Sequence, residues 1–325
     1  MQRRLFPALV ALAAVCGSSV SLLAFAQSAY PEKTVRIVVP YPPGGATDVS
    51  ARLLAGEMAK LLGQAVIVEN KPGVAGVIGT EMVARSPADG YTLVFGGAGN
   101  LTLRPIMDPK LSYKVDKDLV AISHVVTYDH LLVIRNGLPA RNVQDFVQLA
   151  RDRKLSYGSS GSGGPQHLAM ELFKSMTRTE LTHVPYKGES PAMLDLVGER
   201  VDAAIVSTAV AAQLIKGGKV RAIAAANPYR SRLFPELPTI AEAGVPGYDV
   251  EIYGGLLAPA QTPAPVIEKL QRAAIAAMKV PALQQQFTEA GLIPIGRTAA
   301  DFTRLLKKER EKWEPIIKAS GATLE

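Results

Sequence analysis

From Thr34 onward the chain alternates two hydrophobic patterns. Short β-branched runs give way, through glycine and proline, to longer stretches whose apolar side chains recur at helical spacing. Thr34–Val39 predicts a strand. Thr47–Leu62 predicts an amphipathic helix with Val49, Leu53, Leu54, Met58, Leu61 and Leu62 on one side, stopped by Gly63. Ala65–Glu69 is the next strand, "KPGVAGVIG" a loop into a helix ending near Ser86, and Tyr91–Phe95 a third strand. Strand starts at 34, 65 and 91 leave room for one helix each, which is the spacing of βαβ units and of a parallel sheet with right-handed crossovers. Residues 120–135, "VAISHVVTYDHLLVIR", are strand-like and carry the chain out of this unit.

A second series follows. Asn142–Arg153 reads as a helix and Leu155–Ser159 as a strand, and "SGSGGPQHLAMELFKSM" as a glycine-rich loop opening a helix. Strand Leu181–Tyr186, helix Pro191–Gly198, strand Val201–Val206, helix Ala209–Lys216 and strand Val220–Ala225 complete it. "EIYGGLLAPAQTP" adds a strand and a proline-rich exit, before helices at Pro265–Met278, Pro281–Ala290 and Thr298–Ser320. The two series are alike in pattern and not in sequence. They predict an α/β protein of two lobes with a cleft between them.

The N-terminus stands apart from this pattern. Arg3 and Arg4 precede apolar stretches at 5–15 and 20–25, and Ala24-Phe25-Ala26 fits a small-x-small cleavage site. Residues 1–26 therefore read as a secretory signal peptide cut after Ala26. A membrane anchor is the competing reading, weakened by Gly17, Ser18, Ser19 and Ser21 within the stretch; a lipoprotein is disfavoured by Val15 before Cys16. Cys16 is the only cysteine, so the mature chain has no disulfide, thiolate metal site or cysteine nucleophile. The formal charge of +7 falls to +5 without Arg3 and Arg4, and no basic block is interleaved with aromatics. That makes nucleic-acid binding a weak reading and a mild field attractive to small anions the better one.

Candidate chemistry gathers where strands end. In "VVPYPPGGATDVSAR", Pro42 and Pro43 stiffen the exit from a strand, and Gly44 and Gly45 let a guest approach the backbone. The helix then beginning exposes N–H groups without internal partners at the positive end of its dipole, where a carboxylate or phosphate is favoured. The bland alternative is that Thr47 or Asp48 caps the helix. "YGSSGSGGPQHLAM" repeats the arrangement, with Ser159, Ser160 and Ser162 offering hydroxyls and Pro165 suited to a first helical turn. One such start in each predicted lobe suggests two jaws on one anion. "GVAGVIG" at 73–79 could line the same mouth or serve packing.

Enzymatic motifs are missing. Neither loop has a Gly-Lys-Ser/Thr ending, the G-x-G-x-x-G fingerprint is absent, and "GSSGSGG" is not G-x-S-x-G. The four histidines show no metal spacing, so neither metal nor cofactor is expected. His167 reads first as a packing residue, and Asp48 as a cap before a general base. Tyr41, Tyr186 and Tyr253 at strand ends could face the cleft or cover a sheet edge. Trp313 reads as packing, and residues 307–312 as a solvated helix face. The enzymatic alternative is a secreted serine hydrolase using Ser160 or Ser162, or, further off, a sugar- or nucleotide-handling α/β protein.

Several long motifs, in order from about Tyr30 to the C-terminus, resemble one family. They are "YPEKTVRIVVPYPPGGATDVSARLLAGEMAKLLGQAVIVENKPGVAGVIGTEMVARSPADGYTL", "YGSSGSGGPQHLAMELF", "HVPYKGESPAMLDLVGERVDAAIV", "GGKVRAIAAANPYRSRLFPELPTIAEAGVPGY" and "GLLAPAQTPAPVIEKL". The chain is similar in them to the tripartite tricarboxylate transporter receptors, also called Bug proteins. The resemblance implies a periplasmic solute-binding protein of type II-like two-lobed fold, each lobe a mainly parallel sheet flanked by helices. Its lobes would be 27–130 plus 250–325 and 131–249, closing on a hinge. It further implies that loops Tyr41–Asp48 and Ser159–Gly164 hold a small organic carboxylate through N–H groups, hydroxyls and waters. Roles carry over to Gly45, Ala46, Thr47 and Asp48, to Ser160, Gly163, Gly164 and His167, and to Tyr186, Asp202 and Ser207. The implied partners are integral-membrane permease subunits, with a membrane sensor kinase as a further possibility, and a monomer is expected. Pro43 and Ala46 stand where Ala and Pro are frequent, and Tyr253-Gly254 where many relatives carry Trp or Phe before the glycine. These departures bear on which acid is bound.

Overall fold

The computed structural model describes residues 30–320, so the expected leader and its cleavage point lie outside the described residues. The chain forms β1 (Val35–Val39), α1 (Ala46–Leu62), β2 (Val66–Asn70), α2 (Val77–Ala84), β3 (Thr92–Gly97), α3 (Arg104–Met107), α4 (Val115–Asp118), β4 (Leu119–Tyr128) and β5 (His130–Arg135). It continues with α5 (Val143–Asp152), β6 (Leu155–Ser159), α6 (Pro165–Thr177), β7 (Leu181–Pro185), α7 (Glu189–Val197), β8 (Ala203–Ser207), α8 (Thr208–Lys216) and β9 (Val220–Ala225). The last elements are β10 (Ile252–Pro259), α9 (Ala264–Ala277), α10 (Pro281–Glu289), β11 (Leu292–Arg297) and α11 (Ala299–Ser320).

The described strands make two sheets, ordered β11-β4-β10-β3-β1-β2 and β7-β6-β8-β5-β9. Both are mixed, although most strands in each run one way. β10 and β11 are reversed in the first sheet, and β5 is reversed in the second. The strand-like run expected at 120–135 is two strands in different sheets, broken at Asp129. The chain thus passes out at Asp129 and returns through 226–251 to β10.

Asp129 ties these two passages together. Its buried carboxylate accepts from Asn227 Nδ2 at 2.9 Å and from the Ser231 hydroxyl, while its backbone carbonyl accepts from Thr208 N at 2.9 Å. Burial raises the Asp129 pKa, and the bond from Ser231 offsets part of that rise.

The core face of α1 is rotated from the one expected. Ala51, Leu54, Ala55, Met58 and Leu62 are buried, whereas Leu61 is 46% exposed. Two of these are small alanines, which a pattern weighted by large side chains misses. β10 sits mid-sheet and fully buried, with a register shift between Gly254 and Gly255. A Cβ on Gly255 would lie 2.4 Å from Ser123 O, and one on Gly254 2.6 Å from the Tyr128 hydroxyl. Packing demands both glycines.

Candidate functional site

One cavity of about 600 Å³ lies between the two sheets, within the range of small-ligand pockets. Its lining obeys a single geometric rule. Forward strands meet it at their carboxyl ends: β1 through Tyr41–Thr47, β3 through Gly97–Gly99, β6 through Ser160, β7 through Lys187–Pro191 and β8 through Ser207. Reversed strands meet it at their amino ends, through His130, Ile252, Tyr253 and Leu292. The halves approach closely. A Cβ on Gly99 would lie 2.9 Å from the Tyr41 hydroxyl and 3.9 Å from the Pro165 ring at the head of α6.

Helices α1, α6, α7 and α8 all begin at this cavity. Their N-caps are Gly45, Gly164, Gly188 and Ser207, and none caps its helix with a side-chain hydrogen bond. Four helix starts therefore face one space, the start of α8 being already met by the Glu189 carboxylate. The sequence signalled two; the other two starts, Gly188-Glu189 and Ser207-Thr208, follow β7 and β8 directly.

Asp48 supports the first jaw from behind. It is 3% exposed and does not line the cavity. Its carboxylate accepts from Gly44 N at 2.9 Å, Asn70 Nδ2 at 2.8 Å and Arg52 Nε at 3.0 Å, and Asn70 Nδ2 also reaches Tyr41 O at 3.1 Å. Burial pushes its pKa up, but these bonds outweigh it and hold the carboxyl below its ordinary value. Arg52 and Asn70 were not expected here. Tyr41 lines the cavity, with its hydroxyl 3.1 Å from Asn100 Oδ1; burial raises its pKa.

Tyr128 differs from its neighbours. It is 5% exposed and lines the cavity, and its buried hydroxyl makes no hydrogen bond among the described residues. Burial raises its pKa, and the nearby Thr47 and Ser50 hydroxyls offset part of that rise without reaching hydrogen-bond geometry. Tyr253, by contrast, shares a 2.5 Å bond with Thr102 Oγ1.

The second jaw carries a polar chain. Ser160 Oγ donates to Gln166 Oε1 at 2.7 Å, and Gln166 Nε2 reaches His130 Nε2 at 3.1 Å and Glu189 Oε1 at 2.5 Å. Glu189 Oε2 accepts from Ser207 N at 3.2 Å and from the Ser207 hydroxyl. His130 Nδ1 lies 3.0 Å from Tyr128 O. Burial raises the Glu189 pKa, but His130 and Ser207 beside it more than compensate and keep it ionised.

Of the expected site residues, Tyr41, Gly45, Ala46, Thr47, Ser160 and Ser207 line the cavity together. The others lie elsewhere. Ser159, 2% exposed, shares a 2.7 Å bond with His183 Nε2. His167 accepts from Gly163 N at 2.9 Å and stacks on His183 at 3.8 Å; burial, then His183, lowers its pKa to about 4. Gly163 and Gly164 form the turn beneath Ser160, and the Tyr186 hydroxyl donates to Asp195 at 2.7 Å. Asp202 is corrected outright. It precedes β8, at the end of the sheet away from the cavity, and pairs with Arg135 Nε at 2.8 Å and Ser156 N at 2.8 Å. Of the two serines of the hydrolase alternative, Ser160 donates to Gln166 and Ser162 does not line the cavity.

Comparison with known proteins agrees with this architecture. Residues 50–322 match the model of the tripartite tricarboxylate transporter family receptor. BugT of Bordetella pertussis is 34% identical over 298 residues, 91% of each chain. Among solved structures, R. palustris Rpa4515 with adipate is 34% identical with a TM-score of 0.83, covering 90% of this chain and 99% of its own. MatC from Rhodopseudomonas palustris with bound malate is 32% identical with a TM-score of 0.78, covering 89% and 100%. These relatives are binding proteins and not enzymes.

Proposed function

The chain belongs to the tripartite tricarboxylate transporter receptor family, and we propose that it captures a small organic carboxylate in the periplasm and delivers it to integral-membrane permease subunits. The observation that carries this reading is the convergence on one cavity of three helix starts, α1, α6 and α7, drawn from both sheets and without a side-chain cap from their N-cap residues. The start of α8 joins them but is already met by Glu189. Adipate and malate in the two solved relatives belong to the same ligand class. Each anion at a helix start contributes roughly 0.3–2 kcal/mol. Micromolar binding needs about 8 kcal/mol, so hydroxyls and exclusion of water supply the remainder.

Capture proceeds by hinge closure. A ligand favours the closed form only through contacts that the open form lacks, and a guest held by Thr47 on one jaw and Ser160 on the other meets that requirement. The lobes are 27–130 plus 250–325 and 131–249, with Asp129 and 226–251 as the connections. The receptor acts as a monomer, exported by the leader, and its loaded form is the surface that a permease, or a membrane sensor kinase, reads.

The test is a thermal-shift screen of protein stripped of endogenous ligand against mono-, di- and tricarboxylates, aliphatic and aromatic. A ligand at about 100 times its Kd adds close to 2.7 kcal/mol to stability. A flat response across every class defeats the reading.

A further inference from the structure

Glu189 is the only carboxylate, and Lys187 the only lysine or arginine, among the described residues lining the cavity. Their placement is unequal. Lys187 is exposed at the rim, whereas the Glu189 side chain is 17% exposed and belongs to the inner wall. Glu189 is also already committed as an internal anion. Its Oε2 occupies the start of α8, taking both Ser207 N and the Ser207 hydroxyl. The positive end of α8 is therefore neutralised before any ligand arrives.

The remaining oxygen sets what the ligand must offer. Glu189 Oε1 accepts from Gln166 Nε2 at 2.5 Å. His130 Nε2 is 3.6 Å away, beyond hydrogen-bond distance. A carboxylate oxygen accepts more than one hydrogen bond, so Oε1 retains capacity on the cavity side. A donor placed there completes its shell, while a second carboxylate there meets a group of like charge.

Building on the carboxylate-receptor reading, we infer that Glu189 is a specificity residue selecting acids that carry an ammonium or hydroxyl donor at the end opposite the bound carboxylate. The ligand's carboxylate then lies toward the starts of α1 and α6, and its donor toward Glu189. A plain dicarboxylate of the same length is rejected at the second jaw. Discrimination of this kind rests on a repulsive element as much as on a new contact.

The test uses matched acids of four, five and six carbons, each as the dicarboxylate, the ω-amino acid and the ω-hydroxy acid, titrated calorimetrically into the full protein and into Glu189→Gln. With the natural residue, the amino or hydroxy acid should exceed the dicarboxylate by tenfold or more at the length that fits. In Glu189→Gln that ratio should collapse or invert, with the dicarboxylate gaining. The same ranking in both proteins, or a dicarboxylate preferred by the natural protein, overturns the inference while leaving carboxylate binding intact. If no carboxylate of any class binds, the parent reading falls and this one with it. Glu189→Asp guards against a misfolded amide variant. It keeps the charge but withdraws it, so it should weaken the amino acid while still excluding the dicarboxylate; admission of the dicarboxylate there also overturns the assignment.

Discussion

Replacing Tyr128 by Phe should move ligand-free stability and ligand affinity in opposite directions. The hydroxyl is buried against the cavity wall and makes no hydrogen bond among the described residues. Unfolding returns such a group to water, so its native burial costs about 1–3 kcal/mol. Phe removes that cost and leaves the ring in place, so the ligand-free protein should gain up to that amount. For a chain of this size, about 2 °C per kcal/mol corresponds to a rise of roughly 2–6 °C in Tm. With ligand bound, closure has to uncover the hydroxyl before it donates to a carboxylate, and a hydrogen bond to a charged acceptor is then worth about 1.5–3 kcal/mol. Its loss should weaken binding about 10- to 100-fold. Differential scanning calorimetry of stripped protein and titration with any acid from the screen measure both quantities. A lower ligand-free Tm in the Tyr128→Phe variant would falsify the argument, because it would mean that Thr47 or Ser50 satisfies the hydroxyl in the fold. Unchanged affinity would remove the group from the site.

Three further outcomes follow from the same geometry. Thr47→Val and Ser160→Ala should each weaken binding severalfold, since they remove hydroxyls from opposite jaws; equal affinity in both variants defeats the assignment of the two jaws. Asp48→Ala strands Gly44 N, Asn70 and Arg52 and should cost about 2–4 kcal/mol in chemical denaturation, with weaker binding because the loop at 41–47 loses its anchor. Because the folded pKa of Asp48 is depressed, its contribution is present above the unfolded pKa and fades as pH falls through the folded one. His124 and His167 are both held near 4, in each case chiefly by burial. Between about 4 and 6.5 the unfolded chain binds more protons than the native one, so stability should drop as pH falls through that window, by up to about 3 kcal/mol per histidine. His167→Gln should flatten the dependence of Tm on pH; an unaltered slope counts against a neutral, buried His167.

What the sequence made legible and what it hid follow one division. Local patterns announced most elements: β-branched runs gave the strands, and the Gly-Pro punctuation placed α1 and α6 close to their observed starts. β11 was hidden because Pro294 and Gly296 spoil its pattern, and an edge strand tolerates both. The break at Asp129 was hidden because β4 and β5 are equally apolar on either side of it. Partners distant in sequence were hidden altogether. Gln166 meets His130 across 36 positions, and Glu189 meets Ser207 across 18; no spacing rule reports either.

The lining rule explains why part of the site was nonetheless readable. A forward strand must deliver its loop and helix start to the carboxyl edge of the sheet, so each strand–glycine–helix junction is a candidate wherever it lies in the chain. Applied strictly, that rule would have named Gly188-Glu189 and Ser207-Thr208 beside the two glycine loops, and it would have excluded Asp202, which stands at the amino end of β8. A reversed strand does the opposite, which is how Tyr253 and Leu292 reach the same cavity from their strands' beginnings. Strand direction, more than residue type, decides which polar groups can share a guest. The direction of β10 and β11 is set by the chain's return from the second sheet, a fact of topology that no short stretch of sequence carries.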